Sequence, residues 1–463
     1  KQVWLGDPDR SRPDRLGGGK SHSPSLDAAE SSQSPVRVNR VQASRDNRDG
    51  ASEVLARCQT LARFSEDTGS IRRTFLSPPM RECHREIAGW VAPLGVTSRV
   101  DAAGNLRMAY PAANPDAPRL MMGSHLDTVP NAGAYDGVLG VVLPIALLGA
   151  LHGRKLPFAI EVVGFSEEEG VRFSTPFIGS RALVGSLDED LLRRRDAQGI
   201  SIRKAIEDFG LNPAEIAQAA MQGQDNVLGY VEFHIEQGPV LESVNRPLGV
   251  VEAIAGQSRV ELTFVGRANH AGTTPMNLRQ DALAAAAEWI GAVERRAVST
   301  SGLVATVGAM QAKPGATNVI AGETQLSLDV RHRHDETRNA AVDYLVQLAE
   351  DIAMRRGLTV RCNVLMDQRA VPMDPFLVSQ VEQAVGKAGC EPYRMVSGAG
   401  HDAMILAEKI STAMIFLRTP GGISHDPAES VELGDVTKAI DCGLHLLDQL
   451  ASSCQFQRKT QHA

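Results

Sequence analysis

Residues 119–128 read Arg-Leu-Met-Met-Gly-Ser-His-Leu-Asp-Thr, and residues 158–170 read Phe-Ala-Ile-Glu-Val-Val-Gly-Phe-Ser-Glu-Glu-Glu-Gly. Each opens with a short apolar run, Arg119–Gly123 and Phe158–Phe165, and then turns polar at once. That is the pattern of strands buried on both faces. Between them, Asp136 to Leu151 is apolar nearly all round and predicts a central helix. Strand, buried helix and strand together predict an α/β fold with a mostly parallel sheet and helices on both faces. In such sheets, ligands gather just beyond the carboxyl ends of the strands.

Outward from this unit, Glu53–Phe64 and Pro79–Leu94 read as amphipathic helices. Near Ala255 the texture changes. Ser258–Val265 and Thr324–Arg331 alternate apolar and polar residues, as half-buried strands do. Asp281–Ala297 and Glu336–Arg356 read as helices, and Leu303–Met310 and Leu358–Val364 as further strands. The order β-α-β-β-α-β is the ferredoxin-like arrangement. The expected organisation is a discontinuous domain at 51–255 and 370–463, with a second domain at 256–369 inserted in it. Residues 1–50 are rich in Ser, Arg, Asp, Pro and Gly, carry few large apolar side chains, and read as a disordered tail.

The 463 residues exceed the size at which one core stops growing, which fits two domains. A net charge of -7 argues against nucleic acid as partner, because phosphate binding wants a basic surface. The longest apolar stretch, Val138–Leu151, is broken by Gly140, Pro144 and Gly149, so no membrane span is expected. The six cysteines form no Cys-x-x-Cys pair and read as reduced thiols of a cytoplasmic protein.

The chemistry-bearing residues stand at element ends. His125 follows the first buried strand, and Asp136 opens the next helix. Asp127, two residues beyond His125, is placed to orient an imidazole. Glu167, Glu168 and Glu169 follow the second strand; one could bind metal while its neighbour moves protons. His234 follows the extended Gly229–Phe233, and His425 lies in a Gly- and Pro-rich loop after Ala413–Leu417. Taken singly, each has an ordinary reading: a loop histidine, a helix N-cap, a solvated charge run, a core histidine. Taken together, imidazoles and carboxylates at strand ends suit zinc, manganese or iron, and an aspartate shared by two ions ~3.5–4 Å apart is a common hydrolase design.

The chain resembles the M20 metallopeptidase superfamily in its amidase branch, which includes allantoate amidohydrolases, N-carbamoyl-L-amino acid hydrolases and β-ureidopropionases. The resemblance covers residues 51–450. It rests on Gly-Ser-His-Leu-Asp-Thr-Val (123–129), Tyr-Asp-Gly-Val-Leu-Gly-Val (135–141), Glu-Glu-Glu-Gly-Val-Arg-Phe (167–173) and His-Ile-Glu-Gln-Gly-Pro-Val-Leu-Glu (234–242). It also rests on Ala-Asn-His-Ala-Gly-Thr-Thr-Pro-Met (268–276), Thr-Asn-Val-Ile (317–320), Ser-Gly-Ala-Gly-His-Asp-Ala (397–403) and Ile-Ser-His-Asp-Pro-Ala-Glu (423–429). The eleven-residue step from His125 to Asp136 is that of the amidases rather than the peptidases, and two of the motifs look closest to allantoate amidohydrolase.

The resemblance implies two divalent metal ions per subunit, manganese first and zinc second. His125, Asp136 and His234 would hold one; Asp136, Glu169 and His425 would hold the other, with Asp136 bridging. Glu168 would be the general base. The inserted domain would be a lid and dimerisation domain, in which His270 stabilises the oxyanion while Asn318 and Arg331 bind the substrate carboxylate. Gln237 would contact the ureido group, and the backbone of Gly400 the carboxylate. The implied reaction is hydrolysis of allantoate to ureidoglycine, ammonia and carbon dioxide by a homodimer acting on a small ureido carboxylate. An N-carbamoyl-L-amino acid is the alternative substrate, and an aminoacylase or dipeptidase the more distant one.

Overall fold

The computed structural model describes residues 35–221 and 226–461, with side chains described from residue 47 to residue 453 outside that gap. The disordered tail expected at 1–50 therefore falls mostly outside the described residues. Its last part does not: a helix spans Pro35–Leu61, so helical backbone begins well before the expected start at Glu53. Residues 45–463 form one compact unit.

That unit holds two hydrophobic cores. The larger underlies a nine-stranded sheet. Its first strands are β1 (Thr97–Val100), β2 (Leu106–Tyr110), β3 (Arg119–His125), β4 (Ala159–Phe165), β5 (Val227–Ile235) and β6 (Leu248–Ile254). The smaller core lies under a five-stranded sheet made from β7 (Gly256–Val265), β9 (Val304–Thr306), β10 (Met310–Lys313), β12 (Glu323–His332) and β13 (Thr359–Gln368). Two short strands, β8 (Asn269–His270) and β11 (Val319–Ile320), form a separate ribbon. The chain then returns to the large sheet as β14 (Val371–Pro372), β15 (Arg394–Ser397) and β16 (Thr412–Leu417).

The large sheet runs β1-β2-β4-β3-β5-β16-β6-β14, with β15 against β6. It is mixed rather than mostly parallel. The central strands β4, β3, β5 and β16 pair in parallel, while β1, β2, β6 and β14 add antiparallel neighbours. The cause of one such pairing is local: only five residues join β1 to β2, too few for the crossover that parallel strands need. The central helix, Val138–Ala150, is buried on nearly all its residues. It sits hard on the sheet because Gly140 has no side chain; a Cβ there would lie 2.1 Å from the Phe233 carbonyl oxygen.

In the smaller sheet the order is β10-β12-β7-β13, all antiparallel. The β12 strand alternates half-buried and buried residues along its whole length, so Leu326, Leu328 and Val330 reach the core while Asp329 and Arg331 face away. Helices Ala282–Ser299 and Asp335–Arg356 cover the buried face, where Trp289 is fully enclosed and donates to the Leu345 carbonyl. The run expected as one strand at Leu303–Met310 is two, β9 and β10, each paired to a different part of β12. Among the described residues, no helix is long and apolar enough to cross a membrane. Of the five described cysteines, all free, Cys58, Cys83 and Cys442 are buried, Cys390 is half-buried and Cys362 is exposed.

Candidate metal centre

The four central parallel strands all deliver side chains to one end of the sheet. His125 is the last residue of β3, and His234 is the last but one of β5. Glu168 and Glu169 lie on the turn after β4, and His425 on the loop after β16. Asp136 stands in the loop after β3. It does not open the following helix as expected, nor cap it; the helix begins at Val138 and Gly137 holds the N-cap position.

Asp136 is the hub. Its Oδ1 lies 3.5 Å from His125 Nε2 and 3.3 Å from His234 Nε2, and its Oδ2 lies 3.4 Å from His425 Nε2. His425 Nε2 is also 3.7 Å from Glu169 Oε1. Among the described residues four sets of donors are close enough to share an ion: His125–Asp136–His234, Asp136–Glu169–His425, His125–Glu168–Glu169 and Glu232–His234–His401; Asp136 belongs to the first two. The rings of His125 and His234 are aimed by their other nitrogens: Nδ1 meets the Asp127 carbonyl at 2.9 Å in one and the Ile235 carbonyl at 2.9 Å in the other. Asp127 thus orients the imidazole through its backbone, with its carboxylate farther off at 3.5 Å. The carboxylate instead accepts the amides of Glu168 and Glu169, at 3.0 and 3.1 Å.

The electrostatics call for a cation. Burial pushes Glu168 well above the usual carboxylate range and Glu169 to about 7, and neighbouring acids add to both shifts. Burial opposes charge on Asp136 as well, yet three imidazoles hold its carboxyl well below that range. Asp136 Oδ1 and His234 Nε2 are buried with no hydrogen-bond partner. Buried polar atoms left in that state cost free energy unless something fills the space between them. Donors ~2.0–2.2 Å from a tetrahedral ion lie roughly 3.3–3.5 Å apart, the separation found around Asp136. The donor set therefore fits a divalent ion. Gly137 permits this crowding: a Cβ at its φ of 66° would lie 2.4 Å from the His125 ring.

The substrate-binding residues expected from the sequence are spread more widely. Gln237 is at the cluster, but its Nε2 donates to Asp136 Oδ2 at 2.8 Å. Arg331 grips Asp329 through Nε and Nη2 and reaches the Gly398 carbonyl at 2.6 Å through Nη1. It shares with Gln237 a cavity of about 610 Å³ walled by Val304, Met395, Val396 and Phe416. Gly400 is exposed, two residues beyond that contact. His270 and Asn318 are exposed on the β8–β11 ribbon, and no hydrogen bond or ion pair among the described residues joins them to the cluster. His270 Nδ1 accepts the amides of Gly272 and Thr273, which leaves Nε2 as the N–H donor.

Several residues of the centre went unassigned in the sequence. Glu429 Oε1 accepts the amides of Tyr135 and Asp136, at 2.8 and 3.0 Å, and so fixes the hub from 293 residues away. Ser424 Oγ donates to Asp136 Oδ2. Glu232 accepts Ser124 Oγ and the Ala403 amide, tying β3, β5 and the 397–403 segment together. His401, fully buried, stacks edge-on against His234 at 4.5 Å and is kept neutral by burial and the His234 charge. An acid inside the otherwise apolar run Tyr230–Phe233 was a visible signal for Glu232.

Imidazoles and carboxylates converging on one shared aspartate, with a further acid beside them, make this the centre of a metal-dependent hydrolase class. The chain belongs to peptidase family M20/M25/M40, whose model matches residues 121–449. It is 38% identical to allantoate deiminase 2 of Glycine max, over 86% of this chain and 89% of that protein. It is also 38% identical to the N-carbamoyl-L-amino acid amidohydrolase of Geobacillus stearothermophilus, over 83% and 95%. A solved amidase of the hydantoinase/carbamoylase family from Burkholderia multivorans superposes with a TM-score of 0.81 at 31% identity, covering 86% of this chain and 97% of that one.

Proposed function

We propose that the chain hydrolyses a ureido C–N bond in a small carboxylate, with allantoate as the favoured substrate. The observation that carries this reading is Glu168. Once His125, Asp136, Glu169, His234 and His425 serve as ligands, it is a buried acid whose carboxylate stands within reach of two of them, in the set His125–Glu168–Glu169. Relatives named for allantoate and for N-carbamoyl-L-amino acids support the ureido class. His125, Asp136 and His234 would hold one divalent ion, and Asp136, Glu169 and His425 a second. Manganese is favoured, with zinc next. When bound, the pair supplies Lewis acidity and makes water more acidic.

Glu168 takes the proton of the attacking water and returns it to the departing nitrogen. Burial raises the Glu168 carboxyl, which favours its holding that proton between the two steps. The water oxygen bonds to the ureido carbon, the C–NH2 bond breaks, and ammonia leaves. The remaining carbamate releases carbon dioxide, so allantoate yields ureidoglycine. His270 offers its Nε2 proton to the developing oxyanion. Asn318 and Arg331 bind the carboxylate, Arg331 through its planar fork, and the Gly400 backbone assists. Gln237 turns from Asp136 to the ureido group. The inserted domain, 256–369, is the lid and dimerisation domain of a homodimer, and its closure brings His270 and Asn318 to the cluster.

A second reading, an N-carbamoyl-L-amino acid, is favoured by the apolar walls of the cavity between Gln237 and Arg331, since allantoate has no apolar side chain to place there. A side-by-side assay of allantoate and N-carbamoyl-L-amino acids, with manganese and then zinc, separates the two. Allantoate is expected to have the higher kcat/KM. Glu168→Gln should lower ammonia release ~10²–10⁴-fold with both ions retained; near-wild-type activity would sink the assignment.

A further inference from the structure

A second cavity, of about 460 Å³, lies wholly on the inserted domain. Four arginines line it, Arg267, Arg279, Arg355 and Arg356, together with the amides of Asn277 and Gln280. No Asp or Glu is among its lining residues, in a chain whose net charge is -7. Part of this charge has structural work. Arg355 and Arg356 share the single carboxylate of Glu288, which ties the two helices of the domain together. Arg279 spends its donors on backbone oxygens, the Thr274 carbonyl at 3.1 Å and the Ala271 carbonyl at 2.6 Å. One carboxylate for four guanidiniums leaves a surplus of positive charge facing a polar hollow.

We propose that this cavity binds a small, multiply charged oxyanion such as a phosphate group, and that the bound anion stiffens the loop carrying His270. Guanidinium forks and side-chain amides are donors only or donor-rich, and they match the oxygens of such a group. The coupling follows from which residues form the walls. Asn269 Oδ1 accepts the His270 amide, Thr274 Oγ1 donates to the His270 carbonyl, and Arg279 clamps the carbonyls of Ala271 and Thr274. Asn269, Thr274 and Arg279 all line the cavity. An anion that draws Arg279 and Arg267 together therefore orders the struts on which the His270 ring is mounted. Free phosphate and the phosphate of a metabolite share this chemistry.

The test uses the manganese-loaded full chain. Calorimetry with inorganic phosphate and with a sugar phosphate should each show saturable binding that weakens as salt rises. Tighter binding of one identifies the source of the group. Arg267 is exposed, so its replacement leaves the fold intact. Arg267→Glu should weaken binding by about tenfold or more, while Arg267→Lys keeps most of it. Phosphate should also slow hydrogen exchange at amides 270–279. Absence of saturable binding overturns the proposal. So does binding that Arg267→Glu leaves unchanged, because that places the anion on the metals. Unchanged exchange at 270–279 overturns the coupling.

Discussion

The metal cluster and the His270 ribbon are built on opposite plans. Around Asp136 most positions are held by several contacts: two carbonyls aim the rings of His125 and His234, Glu429 holds the backbone, and Asp127 holds both glutamate amides, while His425 stands half-exposed on its loop. On the ribbon, a two-residue strand pair and a few loop hydrogen bonds hold His270 and Asn318 in solvent. The contrast teaches a division of labour. The fold pre-assembles charged groups at fixed separations in the cluster and ties the exposed ribbon down by far fewer contacts, an arrangement consistent with the closure proposed above.

Substitutions on each side sharpen or break that contrast. The largest effect belongs to the hub: Asp136→Asn should bring activity to background and leave fewer than two ions per chain by elemental analysis, while a variant that keeps both ions would show the hub is not shared. His270→Ala should lower kcat by ~10²–10³-fold with metal content and Tm unchanged, because the side chain is exposed; a drop in Tm would mean the ribbon is structural. Arg331→Lys should raise KM about tenfold or more with kcat less affected, since an ammonium loses the bidentate fork; steady-state kinetics on the preferred substrate reads it. The smallest effect is expected from Glu429→Gln, which keeps an acceptor for the two amides but loses its charge. Metal affinity should fall roughly tenfold, at the low end for groups that orient ligands, and a metal-competition titration measures it.

What was legible in the sequence follows the same line. His125, Glu168, Glu169, His234 and His425 could be marked because strand ends are visible as breaks in apolar runs, and the sheet's central strands obey one geometric rule. The supports were not visible, because their partners are distant in sequence: Glu429 meets Tyr135, and Glu232 meets Ala403, only once the sheet is assembled. The mixed character of the sheet was not read, because β1 and β2, whose short link demands an antiparallel turn, had not been marked as strands. The division of Leu303–Met310 into β9 and β10 was not, because each half takes its register from β12.

Gly137 gives the centre a weakness of a different kind. A glycine carries no charge, ring or polar side-chain atom, and by that measure position 137 is empty. Yet the ring of His125 occupies the space where a methyl group would stand, on a backbone turned the way L-residues avoid. A single added carbon would displace the His125 ring, meeting its Cε1, Nδ1 and Nε2 at 2.4 Å. Tolerance to change in this protein is therefore set at that point by volume rather than by chemistry.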